Sequence, residues 1–85
     1  MNNIDLKNRV AIVTGGAQGF GYSIVERFSK SSAKVIIWDL DKSLMDSLHL
    51  PENVSTMKVD VTSYENVENA TKDVLKQHGK IDILI

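Results

Sequence analysis

Val13-Thr14-Gly15-Gly16-Ala17-Gln18-Gly19-Phe20-Gly21 is the stretch that decides how this chain folds. The residues leading into it, Arg9 to Val13, are mostly apolar and β-branched, as in a strand buried on both faces. After it, the run from Tyr22 to Lys30 places Ile24, Val25 and Phe28 on one helical face. Four glycines, Gly15, Gly16, Gly19 and Gly21, therefore join a strand to a helix. A turn that tight needs backbone free of Cβ atoms, to reverse direction and to admit a close approach. The following helix points its unpaired N–H groups and positive dipole end back at the turn, which favours an anion there. The pattern predicts a pyrophosphate cradle.

Working outward, a second apolar strand, Lys34 to Trp38, ends on Asp39, 20 positions after Gly19. An acid at the end of the next strand is placed to accept hydrogen bonds from a ribose. The glycine spacing is T-G-x-x-x-G-x-G rather than the G-x-G-x-x-G of the dinucleotide fingerprint. It is the order of strand, glycine turn, helix, strand and acid that supports a nucleotide site.

Those residues resemble the opening part of the short-chain dehydrogenase/reductase family. Thr14 to Gly21 is similar to the family's cofactor motif, and Asp60-Val61 to its adenine-contacting pair after the third strand. The resemblance runs from about Leu6 to Ile85. It implies cofactor contacts at Gly15, Gln18, Gly19, Phe20, Gly21, Asp39, Leu40, Asp60 and Val61, with NAD as the cofactor. The family's Asn-Asn-Ala-Gly segment and its catalytic Ser, Tyr and Lys have no counterpart within residues 1–85. The chain is accordingly expected to be the first portion of one NAD-binding domain, without catalytic residues and inactive alone.

Taken in order, the chain opens with a polar lead-in, Asn2 to Asn8, anchored by Leu6. The first helix should end near Ser31-Ser32, with Ser32 where family members usually carry a left-handed glycine. Asp41 is placed to cap a short helix whose Leu44, Met45 and Leu48 share a face. Pro51 breaks it. Val54 to Val59 alternates as a third strand. Thr62 and Glu65 match a capping box for a helix whose stripe is Val67, Ala70, Val74 and Leu75, closed by Gly79. Ile81 to Ile85 reads as a fourth strand. Alternating strands and helices predict an α/β fold, a Rossmann-type parallel sheet in the order 3-2-1-4 with helices on both faces. The apolar fourth strand would leave an open edge, which suggests a longer protein or association with another copy.

Net charge is −1 with both signs interspersed, so no nucleic-acid stripe or basic membrane patch stands out. The absence of cysteine excludes disulfides and thiolate chemistry. No apolar run approaches the ~20 residues of a membrane helix. The N-terminus lacks the basic and apolar regions of a secretory signal, and a cytoplasmic location is expected. Asp39-Leu40-Asp41 does not continue as a calcium loop, because Leu44 stands where that loop needs glycine. His49 and His78 read as structural, and Asp60 taken alone reads as a polar stop. By resemblance, the complete protein would be a homodimer or homotetramer moving hydride between NAD(H) and an alcohol or ketone. Alternatives are a non-catalytic dinucleotide-binding module, an NADP-linked 3-oxoacyl reductase-like enzyme, or a methyltransferase-type domain, against which the pyrophosphate-type turn argues.

Overall fold

In the computed structural model, which describes residues 5–85, the apolar run around Ile12 forms β1 (Val10–Thr14). Asn2, Asn3 and Ile4 of the lead-in lie outside the described residues. The chain continues through α1 (Gly19–Lys30), β2 (Lys34–Asp39), α2 (Lys42–Ser47), β3 (Val54–Lys58), α3 (Tyr64–His78) and β4 (Ile83–Leu84). All pairings are parallel, in the order β3-β2-β1-β4. The register sets Ala11 beside Val35 and Ile83, and Thr14 beside Trp38. Every strand therefore delivers its carboxyl end to the same edge of the sheet. This is the α/β Rossmann-type architecture and strand order that the alternating elements predict.

Period-two alternation along β1 and β2 divides the core between two faces. Val13, Val35 and Ile37 meet Val25 of α1 and Met45 of α2 on one face. Val10, Ile12, Ile36 and Trp38 meet Ala70 and Val74 of α3 on the other. Val25 and Val74 are each 1% exposed, and burying such a side chain contributes about 1.5–3 kcal/mol. Leu6 packs against the first face and its N–H donates to Ser31 O, which ties the lead-in to the end of α1. Ser32 adopts the left-handed conformation expected of it, at φ 73°.

Several boundaries differ from the sequence reading. Helix α1 starts at Gly19 rather than Tyr22, because the glycine turn already bends into the helix. Strand β1 is shifted forward by one residue, and β3 stops at Lys58. Ladder geometry holds only at Ile83 and Leu84 in β4, although Asp82 N–H donates to Val10 O and Ile85 N–H to Ile12 O on either side. Leu75 does not join the stripe of α3: it is 44% exposed, and its neighbour Val74 takes the buried position. The capping box expected of Thr62 and Glu65 does not form. Ser63, not Thr62, caps α3 by accepting from Asn66 N–H at 3.2 Å. Thr62 is held elsewhere, its N–H and hydroxyl both donating to Asp60 Oδ1, at 2.9 and 2.6 Å.

Candidate functional site

At the carboxyl edge, the turn from β1 to α1 is built on two left-handed glycines, Gly15 at φ 65° and Gly19 at φ 62°. A Cβ at either position would meet nothing within 4 Å, so both face open space. The other two glycines serve packing. A Cβ on Gly21 would sit 2.2 Å from Gly15 O, and one on Gly16 3.1 Å from both Val13 O and Val25 Cγ2. Two glycines thus bring the helix against the strand, and two leave backbone exposed to a ligand. Gln18, the residue before α1, is extended and makes no side-chain cap bond. The first turn of α1 carries no acidic side chain either. Its dipole and N–H groups therefore face the open side of the turn with no acid of the helix's own beside them.

Asp39 ends β2 next to this turn. Its Oδ2 accepts from Ala17 N–H at 3.2 Å, and its Oδ1 from Asp41 N–H at 3.0 Å. Gly15 N–H donates to Trp38 O at 2.7 Å, so turn and strand end are joined by backbone as well. Asp41 caps α2 by accepting from Leu44 N–H at 2.9 Å, as its position predicts. Lys42, the cation nearest in sequence, is paired with Asp46 at 2.8 Å.

Asp60 follows β3 on the same edge. The Thr62 hydroxyl, then the Thr62 N–H, hold its carboxyl below the ordinary value of 3.8. Its own N–H donates to the Asn66 side chain. A cavity of about 290 Å³ opens here, lined by Asp60, Ser63, Glu65, Asn66 and Asn69. With two carboxylates on its wall it suits hydrogen-bond donors rather than phosphate.

Of the residues singled out in the sequence, Gly15, Gln18, Gly19, Phe20 and Gly21 lie in one turn, with Asp39 bonded to it. Leu40 and Val61 follow the ends of β2 and β3, 57% and 53% exposed, and Phe20 is 92% exposed. Two contributors escaped sequence reasoning. Ala17 ties the turn to Asp39 through its backbone, which no side-chain pattern signals. Gly16 packs tightly against Ile37 and Val25, each 3.1 Å from where a Cβ would stand, and only its place in the glycine cluster hints at that. Among the described residues no cluster of potential metal ligands occurs, and no helix is long and apolar enough to cross a membrane.

Known proteins resemble this chain in sequence and in fold. Short-chain dehydrogenase reductase 3a of Arabidopsis thaliana is 36% identical over 99% of this chain and 34% of its own length. The NAD-dependent glycerol dehydrogenase of Listeria innocua is 33% identical over 96% of the chain and 33% of its own length. The crystal structure of 3-ketoacyl-(acyl-carrier-protein) reductase from Brucella melitensis, complexed with NADH, superposes with a TM-score of 0.86. It is 33% identical, with 94% of this chain and 34% of that one covered. The chain thus spans about a third of the length of these relatives. Residues 9–85 match the model of the short chain dehydrogenase family, and the chain belongs to that family.

Proposed function

We propose that this chain is the dinucleotide-binding part of an oxidoreductase that moves hydride between NAD(H) and an alcohol or ketone. The observation that carries the reading is the pair Gly15 and Gly19, left-handed and open to solvent, in front of a helix without a side-chain cap. Such a cradle fits a pyrophosphate, whose oxygens would accept from the backbone N–H groups at the start of α1. Asp39 would accept from the adenosine ribose hydroxyls. Leu40 and Val61 offer exposed apolar surface to the adenine, with Asp60 as an acceptor at its edge. The bound cofactor supplies the hydride chemistry, while this part of the protein binds and orients it. The whole protein is read as a cytoplasmic homodimer or homotetramer, with its catalytic residues outside residues 1–85.

Charge favours NAD(H) over NADP(H). A 2′-phosphate at Asp39 would face that carboxylate and, two residues on, Asp41. Gln18 is neutral, and Lys42 is already paired with Asp46. A hydrogen bond to a charged group contributes ~1.5–3 kcal/mol, so replacing it with repulsion disfavours NADP by roughly tenfold to a few hundredfold. The test is competitive titration of NADH and NADPH on the complete protein, with the Asp39→Ser, Leu40→Arg double variant beside it. Equal affinity in the wild type, or a double variant that does not move toward NADPH, removes Asp39 as the ribose reader. A complete protein that binds NADH yet turns over no alcohol or ketone favours the non-catalytic module instead.

A further inference from the structure

The glycine turn has a structural difficulty that the dinucleotide reading leaves unaddressed. Gly15 and Gly19 occupy left-handed backbone, and glycine is the residue with the most freedom to leave any one conformation. A cradle that wanders must be ordered when the ligand arrives, which weakens binding. Something must hold the turn, and Gln18 does not, since its side chain makes no cap bond.

The bonds at the end of β2 supply the restraint. Ala17, midway between the two open glycines, is 2% exposed. A buried N–H without an acceptor is costly, and the acceptor here is Asp39 Oδ2, 22 residues away. Asp39 Oδ1 is fixed in turn by Asp41 N–H. With both oxygens engaged, the carboxylate spans the β1–α1 and β2–α2 turns. Each oxygen has a second lone pair, so a ribose can be accepted without breaking the bridge.

We infer that Asp39, besides the ribose contact on whose reading this rests, is a positioning residue: through Ala17 it holds the glycine turn in the shape that receives the pyrophosphate. Part of its contribution to affinity is then independent of the ribose hydroxyls. A substitution made to redirect the ribose pocket also loosens the phosphate pocket.

The experiment separates the two roles. The complete protein, its Asp39→Ala variant and its Asp39→Asn variant are titrated with NADH and with the analogue lacking both the 2′- and 3′-hydroxyls of the adenosine ribose. Thermal melting without ligand establishes that each variant is folded. The analogue offers Asp39 no hydroxyl, so a pure ribose reader predicts no effect of the substitution on it. The clasp predicts that Asp39→Ala weakens the analogue by about five- to tenfold. Asp39→Asn, which keeps one acceptor oxygen and loses the charge, should weaken it by about three- to fivefold. A loss below about threefold with Asp39→Ala overturns the inference. If the alanine protein does not fold, the asparagine variant decides at the same threshold. Equal affinity of the wild type for the two ligands would defeat the ribose reading alone, and the analogue titration would still test the clasp.

Discussion

The turn after β1 and the turn after β3 stand at the same edge of the sheet, and each leads a parallel strand into a helix. They treat the free N–H groups of that helix in opposite ways. After β3, Ser63 accepts from Asn66 N–H, Asn66 reaches back to Asp60 N–H, and Asp60 accepts twice from Thr62. Glu65 adds negative charge to the first turn of α3. That helix start takes both its side-chain cap and its first-turn acid from the protein itself. After β1, Gln18 provides no cap, α1 has no acid in its first turn, and two open left-handed glycines replace side chains. A side-chain cap contributes about 1 kcal/mol to a helix, so forgoing one is a real loss of stability. The incomplete turn is the one left open to an outside anion, at a cost in helix stability.

Removing a packing glycine from the open turn should produce the largest effect. In Gly21→Ala the new Cβ falls 2.2 Å from Gly15 O and 2.9 Å from Gly16 Cα, both backbone atoms that cannot swing aside. Loss of about 3 kcal/mol or more is expected, measured by denaturant unfolding of the complete protein. A loss below about 1 kcal/mol would mean that the turn yields more easily than its packing implies. Ser63→Ala, in the closed turn, should lower stability by about 1 kcal/mol by freeing Asn66 N–H. The parallel Gln18→Ala should lower it by much less, because Gln18 caps nothing. Similar losses for the two would erase the contrast between the turns.

These two turns also show what the sequence disclosed and what it withheld. Strands β1 and β2 were legible because Val10 to Val13 and Val35 to Trp38 are continuous apolar runs between polar ends. The closing Gly79 was legible as a helix stop, and a left-handed Ser32 only through the family resemblance, which places glycine there. Thr62 and Ser63 are adjacent hydroxyls, and the choice between them rests on Asp60, which captures Thr62 in a local turn. The stripe took in both Val74 and Leu75, but one residue is 100° around the helix from the next, and only Val74 is buried. The open turn was legible as a glycine cluster at the right distance from Asp39. Which glycines pack and which face open space depended on three-dimensional neighbours, as did the bond from Ala17 to Asp39.

A smaller effect concerns the opposite edge of the sheet, where acid should loosen β4. Val10 N–H, then Lys80, hold the Asp82 carboxyl below its ordinary value of 3.8, with Arg9 adding a weaker attraction. A depressed folded-state value means that this contribution is present above pH 3.8 and is lost as the pH falls through the lowered value. Asp60 behaves in the same direction at the closed turn. Stability followed from pH 6 downward should therefore decline less steeply in Asp82→Asn than in the wild type. Parallel curves would show that Asp82 is not a source of the acid sensitivity.

The central claim is that the turn from Gly15 to Gly21 receives a dinucleotide on backbone left exposed by glycine. Gly19→Val tests it most directly, since it sets a branched side chain into the open space at φ 62°. Left-handed backbone costs a non-glycine residue roughly 1–2 kcal/mol, so the variant should be weakened but folded. Calorimetric titration of the complete protein with NADH, below the melting temperature of both forms, should show affinity reduced by at least about a hundredfold. A folded Gly19→Val protein that binds NADH within about threefold of the wild type would contradict the account.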